Sequence, residues 1–592
     1  MILQSLVEYY ELMAAEGKLP KPGYCIVKVS YALNLSENGT LLNIVNIKAT
    51  KQLKKKVVQV PRDIEVPEQL PRSANVSANF LCDNSTYLLG IDRKGNPNRS
   101  AKCFAASRKF HIELLQGVHT PLAKAVTAFF QKWDPEKASK NSNIEENLQE
   151  VLEGGNLIFM LNGRKFAQDD PEIRCVWEKH YISQHTEIKK PCLVTGKVEP
   201  VAILHPKIKE LAGAQTAGAN LVSFNARAYE SYGGDCARGM NAPVGQYAAF
   251  AYTTALNYLL SDKKHCLQIG NTTVIYWAAS TKRAYRDIFS AFFDPENEKA
   301  KQLLQNIMEN MVAGNAIAKD MDLETSFYIL ALEPNAARIS VRFFLHDSFG
   351  NFLKNLSQYY KDIEIIHAPQ EFSYLTPYWL LHETVASHSS DEYVSPQLIG
   401  EVLRAILLGY PFPKTLQNVV LLRIRAERSE KERNIRKITR GRAAILKAYL
   451  LRQIDKHAYM EVLSVSLNEN SNNCAYLLGR LFAMLEKVQI DATPSINTTI
   501  QDPYFALACA MPQRVFPLLF KLHKNHIATI QKRMKSMAFS NYENKLIAEI
   551  MDKLKLKKNS FPEHLCLNDQ SIFVLGYYHQ VQSFFTPKNK KK

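Results

Sequence analysis

The sequence predicts an α+β fold: a mixed α/β amino-terminal and central region, then an all-α carboxy-terminal helical bundle. Three observations predict it. Short β-type runs bounded by turn residues fill the first 130 residues, strands and helices mix without βαβ repetition from about 190 to 370, and strand signals nearly vanish beyond 371. The 592 residues suit about four domains. We divide them into an amino-terminal region 1–190, a central region 191–370, a basic helical connector 371–459 and a terminal bundle 460–592. With 46% hydrophobic and 22% charged residues, the chain is neither disordered nor fibrous.

Taken in order, MILQSLVEYYELMAAEGK lacks a basic stretch followed by a purely apolar one, so it reads as an amphipathic helix and not as a signal peptide. CIVKVSYALNL and LLNIVNIKA flank Asn38-Gly39, a strong hairpin signal. KQLKKK then reads as a basic loop, either solvated or contacting phosphates, and VPEQLPRSANVSANFLCDN as an irregular segment rich in Pro, Ser and Asn. Thr120 to Trp133 has helical spacing, residues 134–147 form a polar connector, and GNLIFMLNGRKFAQD is a strand entering a Gly turn. The middle supplies strands SFYILALE and ARISVRFFL and helices YAAFAYTTALNYLL and SFGNFLKNLSQYY. In AYLLGRLFAMLEKVQ the apolar residues keep helical spacing, and Gly479 admits close helix approach. On the helix after Pro517, Lys521, Lys524, Lys532 and Lys535 fall within about 80° of one another, opposite Leu519, Leu522 and Ile530.

The charge is 74 Lys+Arg against 57 Asp+Glu, a formal net +17 with pI near 9.2. Such an excess favours a polyanionic partner. It is patchy. Lys48 to Arg62 holds six basic residues and no acidic one, and residues 91–111 set Arg93, Lys94, Arg99, Lys102, Arg108 and Lys109 against Asp92 alone. Arg423 to Lys447 carries ten basic and three acidic residues, a net +7. No run approaches the roughly 18 apolar residues of a membrane span, so a cytoplasmic protein without a membrane partner is expected.

Familiar active-site patterns are missed one by one. HETVASH places its second histidine, His388, six residues after His382, where a zinc helix needs four. TGKVE at 195–199 lacks a phosphate-cradling loop, and Gly233-Gly234 and Gly239 lack dinucleotide-binding spacing. Ten dispersed cysteines make no CxxC and read as reduced core thiols. A binding or scaffold component without metal or cofactor is therefore expected.

One block is far more specific. CLVTGKVEPVAILHPKIKELAGAQTAGANLVSFNARAYESYGGDCARGMNAPVGQYAAFAYTTALNYLL, residues 192–260, closely resembles the signature of the large subunit of the type I-C CRISPR interference complex, Cascade. The resemblance extends to FLCDNSTYLLGID, FYILALEPNAARISVRFF, RAAILKAYL, YLLGRLFAMLEKVQ and GYYHQ, and so spans nearly the whole chain. SYGGDCARGMNAPV departs from the shorter linker usual in the family.

The resemblance implies a non-catalytic subunit that recognises a protospacer-adjacent motif in duplex DNA, promotes unwinding and R-loop formation, contacts the displaced strand and helps recruit a helicase-nuclease. Implied partners are the Cascade backbone subunits with their crRNA, target double-stranded DNA, the displaced strand, the helicase-nuclease and separate small subunits. The terminal bundle matches such a small subunit, and Met460, then Met484, are candidate internal starts. Two alternatives stay open: a guide-RNA-processing enzyme using His205 or His265, or a purely structural scaffold.

Motif readout needs amide or guanidinium groups at base edges, positioned by phosphate contacts. Candidates for readout are Arg72, Asn75, Asn79, Gln215, Thr216, Asn225, Arg227 and Asn241, several beside Gly213, Gly218 and Gly239, small enough to admit a DNA backbone. Each of these has a turn-stabilising role as its alternative. Candidates for phosphate and strand contact are Lys51, Lys54, Lys55, Lys56, Arg423, Arg425, Arg433, Arg436, Lys437, Arg440 and the lysines of the terminal stripe.

Overall fold

The turn at Asn38-Gly39 organises the amino-terminal part of the computed structural model. Residues 1–53, 56–69, 76–93, 97–145, 147–184, 188–224, 239–293, 298–313, 321–386, 394–429, 436–453, 459–534, 538–554 and 560–585 are described. Gly39 has φ +80°, and a Cβ there would lie 2.5 Å from the Phe129 amide nitrogen, so glycine alone fits both the turn and its neighbour. After α1 (Ile2–Ala15), the turn joins β1 (Tyr24–Leu35) to β2 (Leu41–Asn46) in antiparallel register.

The chain then leaves the sheet. β3 (Ala49–Leu53) and β4 (Lys56–Val60) pair only with each other among the described residues, and β5 (Arg62–Pro67) returns to β1. Register fixes where this happens: Asn46 lies opposite Tyr31, and Arg62 opposite Val29. The β3–β4 ribbon is thus an excursion from the middle of one β1 edge. Lys51 and Lys56, from the cluster expected as a loop, lie on its two strands.

The other edge of β1 pairs in parallel with β7, and the path to it runs through β6 (Cys82–Asp83), α2 (Ser85–Leu88), α3 (Pro97–Leu114), α4 (Pro121–Lys132), α5 (Ser142–Glu145), α6 (Leu148–Leu152) and β7 itself (Asn156–Leu161). Thr120 caps α4, where its hydroxyl accepts the Ala123 N–H at 3.2 Å. β8 (Lys165–Phe166) and α7 (Pro171–Ser183) follow, then a small ribbon of β9 (Lys189–Pro191) and β10 (Val198–Pro200), and α8 (Gln246–Ser261). The core between sheet and helices includes Phe80, Phe129, Phe130, Phe159 and Trp177.

Contacts divide the chain into two compact units, Met1–Pro206 with Val222–Leu256, and Lys207–Leu221 with Asn257–Lys592. The second begins as an antiparallel meander of β11 (Cys266–Ile269), β12 (Thr272–Ala278), β13 and β14, interrupted by α9 (Arg283–Phe293) and α10 (Glu298–Ala313) before β13 (Ser326–Asn335) and β14 (Arg338–Ser348). Helices follow: α11 (Phe349–Ile363), α12 (Pro377–His382), α13 (Pro396–Leu408), α14 (Lys414–Ala426), α15 (Arg440–Leu451), α16 (Cys474–Ala492), α17 (Gln501–Ala510), α18 (Pro512–Met534), α19 (Ala538–Lys553) and α20 (Leu567–Ser583). The α+β class agrees with the sequence. The connector 371–459 and bundle 460–592, separate in the sequence reading, share one hydrophobic core. α18 also begins earlier than expected, with Pro517 inside it.

α16 and α20 cross at two glycines. A Cβ on Gly479 would lie 2.0 Å from the Phe573 carbonyl oxygen, and one on Gly576 would lie 2.2 Å from that of Tyr476. Any side chain at either position separates the backbones. Buried polar bonds flank the crossing: Tyr476 Oη with His579 Nδ1 at 2.9 Å, Arg480 Nε to Gln580 Oε1 at 3.0 Å, and Tyr577 Oη to Glu486 Oε2 at 2.6 Å. We expect Gly479→Ala to destabilise the chain by about 1–3 kcal/mol despite the better helix propensity of alanine. Urea unfolding of the full chain measures it, and unchanged stability would contradict the tight crossing.

Candidate nucleic-acid interface

The base of the ribbon is built by one cation. Lys48 Nζ donates to Tyr31 Oη at 2.8 Å and to Glu150 Oε2 at 2.7 Å, and lies 4.7 Å from the Tyr31 ring centroid. Tyr31 Oη also donates to Glu150. The bond to Glu150 holds the Lys48 ammonium pKa above its ordinary value. Lys48 therefore fastens the ribbon to the sheet. Lys51 and Lys56 lie on the ribbon strands, whereas Lys54 and Lys55 lie outside the described residues.

The readout candidates separate. Arg72, Asn75, Asn225 and Arg227 lie outside the described residues. Asn79, expected at a base edge, is buried at 7% exposure, and its backbone N–H donates to Asp83 Oδ2 at 3.0 Å. Its motif FLCDNSTYLLGID serves the core. Leu81 has φ +59°, its N–H donates to His111 Nε2 at 2.9 Å, and His111 Nδ1 bonds the Ser107 carbonyl at 2.7 Å. These bonds define a neutral imidazole, and burial lowers its pKa to about 4.

Gln215 and Thr216 are exposed in the second unit, on a turn where the Gly218 N–H donates to the Gln215 carbonyl at 2.8 Å. Asn241 is half-buried in the first unit, in the turn closed by the Ala242 N–H to the Gly239 carbonyl at 3.0 Å. The glycines beside these residues are explained by protein and not by DNA approach. Gly213, Gly218 and Gly239 all have positive φ. A Cβ would meet Pro334 at Gly213, the Ile208 carbonyl at Gly218 and the Phe224 ring at Gly239.

The basic run 423–447 needs the largest correction, because several of its cations point inward. Lys437 is 2% exposed, with Nζ 3.5 and 3.4 Å from the Gln501 and Asp502 carbonyls. Arg440 donates to the Phe372 and Ser373 carbonyls at 2.6 and 2.5 Å. Arg442 pairs with buried Glu427 at 3.0 Å, and Lys447 Nζ donates to the Glu364 carbonyl at 2.7 Å. Burial lowers the ammonium pKa of Lys437 and Lys447. The carbonyls that end α11 have no intrahelical partner and Lys447 supplies their donor, while Arg440 does the same for the loop carbonyls of Phe372 and Ser373. Lys437 and Arg440, expected as strand contacts, are therefore structural residues. Arg425 is exposed but donates to Gln570 Oε1, Arg423 is half-buried, Arg436 is exposed, and Arg433 lies outside the described residues.

On α18 the stripe agrees with the sequence where it is described. Lys521, Lys524 and Lys532 are exposed while Leu519 and Ile530 are buried; Lys535 lies outside the described residues. His205 and His265, the residues of the enzyme alternative, are 8% and 7% exposed, and their Nδ1 atoms bond Tyr252 Oη at 2.7 Å and the Tyr276 carbonyl at 2.9 Å. Among the described residues no helix is long and apolar enough to cross a membrane.

This arrangement, a separate two-stranded ribbon beside a mixed sheet in one unit and a lysine-striped helical bundle in the other, defines a large α+β protein. Residues 6–585 match the family described as CRISPR-associated protein (Cas_Csd1), so the chain belongs to the Csd1 family, the type I-C Cas8c group, and is a CRISPR-associated Cascade subunit. No curated protein matches it.

Two measurements check the electrostatics. Arg442→Met leaves Glu427 buried without its guanidinium and is expected to cost about 3–5 kcal/mol in unfolding free energy, against under about 0.5 kcal/mol for exposed Lys524→Ala. His111, His205 and His579 all have native pKa values lowered by burial to about 4 from the ordinary value near 6.5. The unfolded chain binds protons first as pH falls, so stability is lost between about pH 6.5 and pH 4, with a slope approaching about 1.4 kcal/mol per pH unit per histidine. Denaturation at stepped pH tests this, and replacing His111 with Gln removes one histidine's share.

Proposed function

We propose that the chain is the non-catalytic, motif-reading large subunit of a type I-C Cascade: it recognises the protospacer-adjacent motif in duplex DNA, promotes R-loop formation, contacts the displaced strand and helps dock the helicase-nuclease. The observation that carries this reading is the ribbon, which lifts Lys51 and Lys56 of an acid-free basic run away from the main sheet of a Csd1-family chain. A protruding cationic strand pair suits a groove with phosphates on both sides. Exposed Lys521, Lys524 and Lys532 suit a single strand or heteroduplex. Burial of His205 and His265 weighs against the nuclease alternative. The crRNA-bearing backbone, small subunits and nuclease are the proposed partners.

The assembled complex is expected to bind duplexes carrying the correct flanking motif far more tightly than duplexes with that motif scrambled; equal affinities at physiological salt would defeat the proposal. Changing Lys51, Lys54, Lys55 and Lys56 to Ala lowers the salt slope of binding by up to about 0.9 per lost phosphate contact while sequence preference is retained. Converting the Met460 codon to a non-start codon is expected to abolish a short second product spanning the terminal bundle.

A further inference from the structure

The two faces of the β3–β4 ribbon differ in chemistry. Thr50 lies opposite Gln59, and Gln52 opposite Val57. Directly opposed residues of an antiparallel pair share a face, and alternate residues along a strand return to it. One face therefore presents Thr50, Gln52, Val57 and Gln59. All four are exposed, Val57 at 69%. An outward hydroxyl, two amides and an isopropyl group do nothing for a core. They are the groups that read base edges.

A hydrogen-bond chain orients one of these amides. The Lys48 backbone N–H donates to Asn46 Oδ1 at 3.0 Å, which assigns the oxygen of that amide. Asn46 Nδ2 must then be the donor, and it meets Gln59 Oε1 at 3.1 Å. Gln59 consequently keeps its NH₂ for an outside acceptor. Next to it, Gln52 and Val57 form a cross-strand pair that joins an amide to methyl groups. In the major groove an A·T pair sets the adenine N7 acceptor and N6 donor beside the thymine O4 and methyl group. Amide and methyl on the ribbon meet amide-like edge and methyl on the base pair.

We propose that this face of the ribbon enters the major groove of B-form DNA and selects A·T pairs, with Gln52 bidentate on adenine, Val57 against the thymine methyl and Gln59 donating to a neighbouring acceptor. The inference rests on the motif-reading role proposed above and assigns the specificity-determining residues of that reading. Charge commits the occupant to a nucleic acid, since five cations and no anion lie from Lys51 to Arg62, apart from the Lys48 already paired with Glu150. Groove width commits it to DNA: a two-stranded ribbon enters the B-form major groove, whereas the A-form RNA major groove is too narrow.

The test uses the full chain in its assembled complex and duplexes with randomised flanking bases. Wild type is expected to enrich A·T at one or two adjacent flank positions, and Gln52→Ala to reduce that discrimination about 5- to 150-fold at one of them with the salt slope unchanged. Replacing that adenine with 7-deazaadenine should weaken wild type and leave Gln52→Ala indifferent. Replacing the thymine with uracil should weaken wild type and leave Val57→Ala indifferent. Full retention of the A·T preference in Gln52→Ala, enrichment of G·C only, or equal binding to duplex RNA overturns the assignment while flank recognition stands. Wild-type binding with no flank dependence at all defeats the broader reading instead.

Discussion

The second unit depends on the crossing of α16 and α20, where two backbones come so close that neither Gly479 nor Gly576 has room for a methyl group. Close approach maximises dispersion contact but excludes the side chains that would otherwise shield polar atoms. The flanking residues compensate. Tyr476, Arg480, Glu486, Tyr577, His579 and Gln580 hydrogen-bond across the seam, leaving a core that is both tightly packed and polar. α15 packs on the outer side of α20 and brings Lys447 to the carbonyls that end α11. The net positive charge of the chain is therefore partly a property of its interior.

That observation divides the cations into two populations with different duties. Inward cations, Lys437, Arg440, Arg442 and Lys447, meet carbonyls and carboxylates, and their loss is felt as stability. Outward cations are Lys521, Lys524 and Lys532 on α18, and in the proposed function their loss is felt in binding. Lys48 stands between the two, fixing the ribbon through Tyr31 and Glu150. A simple count of basic residues merges these roles, and the density at 423–447 is the clearest case, since four of its ten basic residues are anchored inside.

Legibility followed the range of the interaction. The Asn38-Gly39 hairpin, the helix beginning at Thr120 and the amphipathic α18 are encoded within a few residues, and each is readable. The parallel pairing of β1 with β7 was not, because its partner lies more than a hundred residues away and nothing local marks it. Gly479 announced a close contact but gave no hint that Gly576 was the other half. The ribbon escaped notice for another reason: both of its strands carry exposed residues, so no apolar alternation sets it apart from a loop. Lysines dominate that segment and point to phosphates, while the proposed base readout rests on the spacing of Gln52, Val57 and Gln59 on either side of them. Asn79 is the opposite case, a buried residue whose backbone N–H bonds Asp83 in a turn that supports the core.

Met460 lies half exposed in a 3₁₀ turn between α15 and α16. A polypeptide beginning there keeps α16 to α20 but lacks α14 and α15. In the full chain α20 is buried without a break from Gln570 to Gln580, with Gln417 bonded to Ser571 and Arg425 to Gln570. Cutting at that turn strips one flank of the central helix and uncovers amides and hydroxyls together with apolar side chains. Such a flank wets more readily than a purely greasy one, so a shortened bundle has a surface that tolerates water yet still offers a ready seat for another helix.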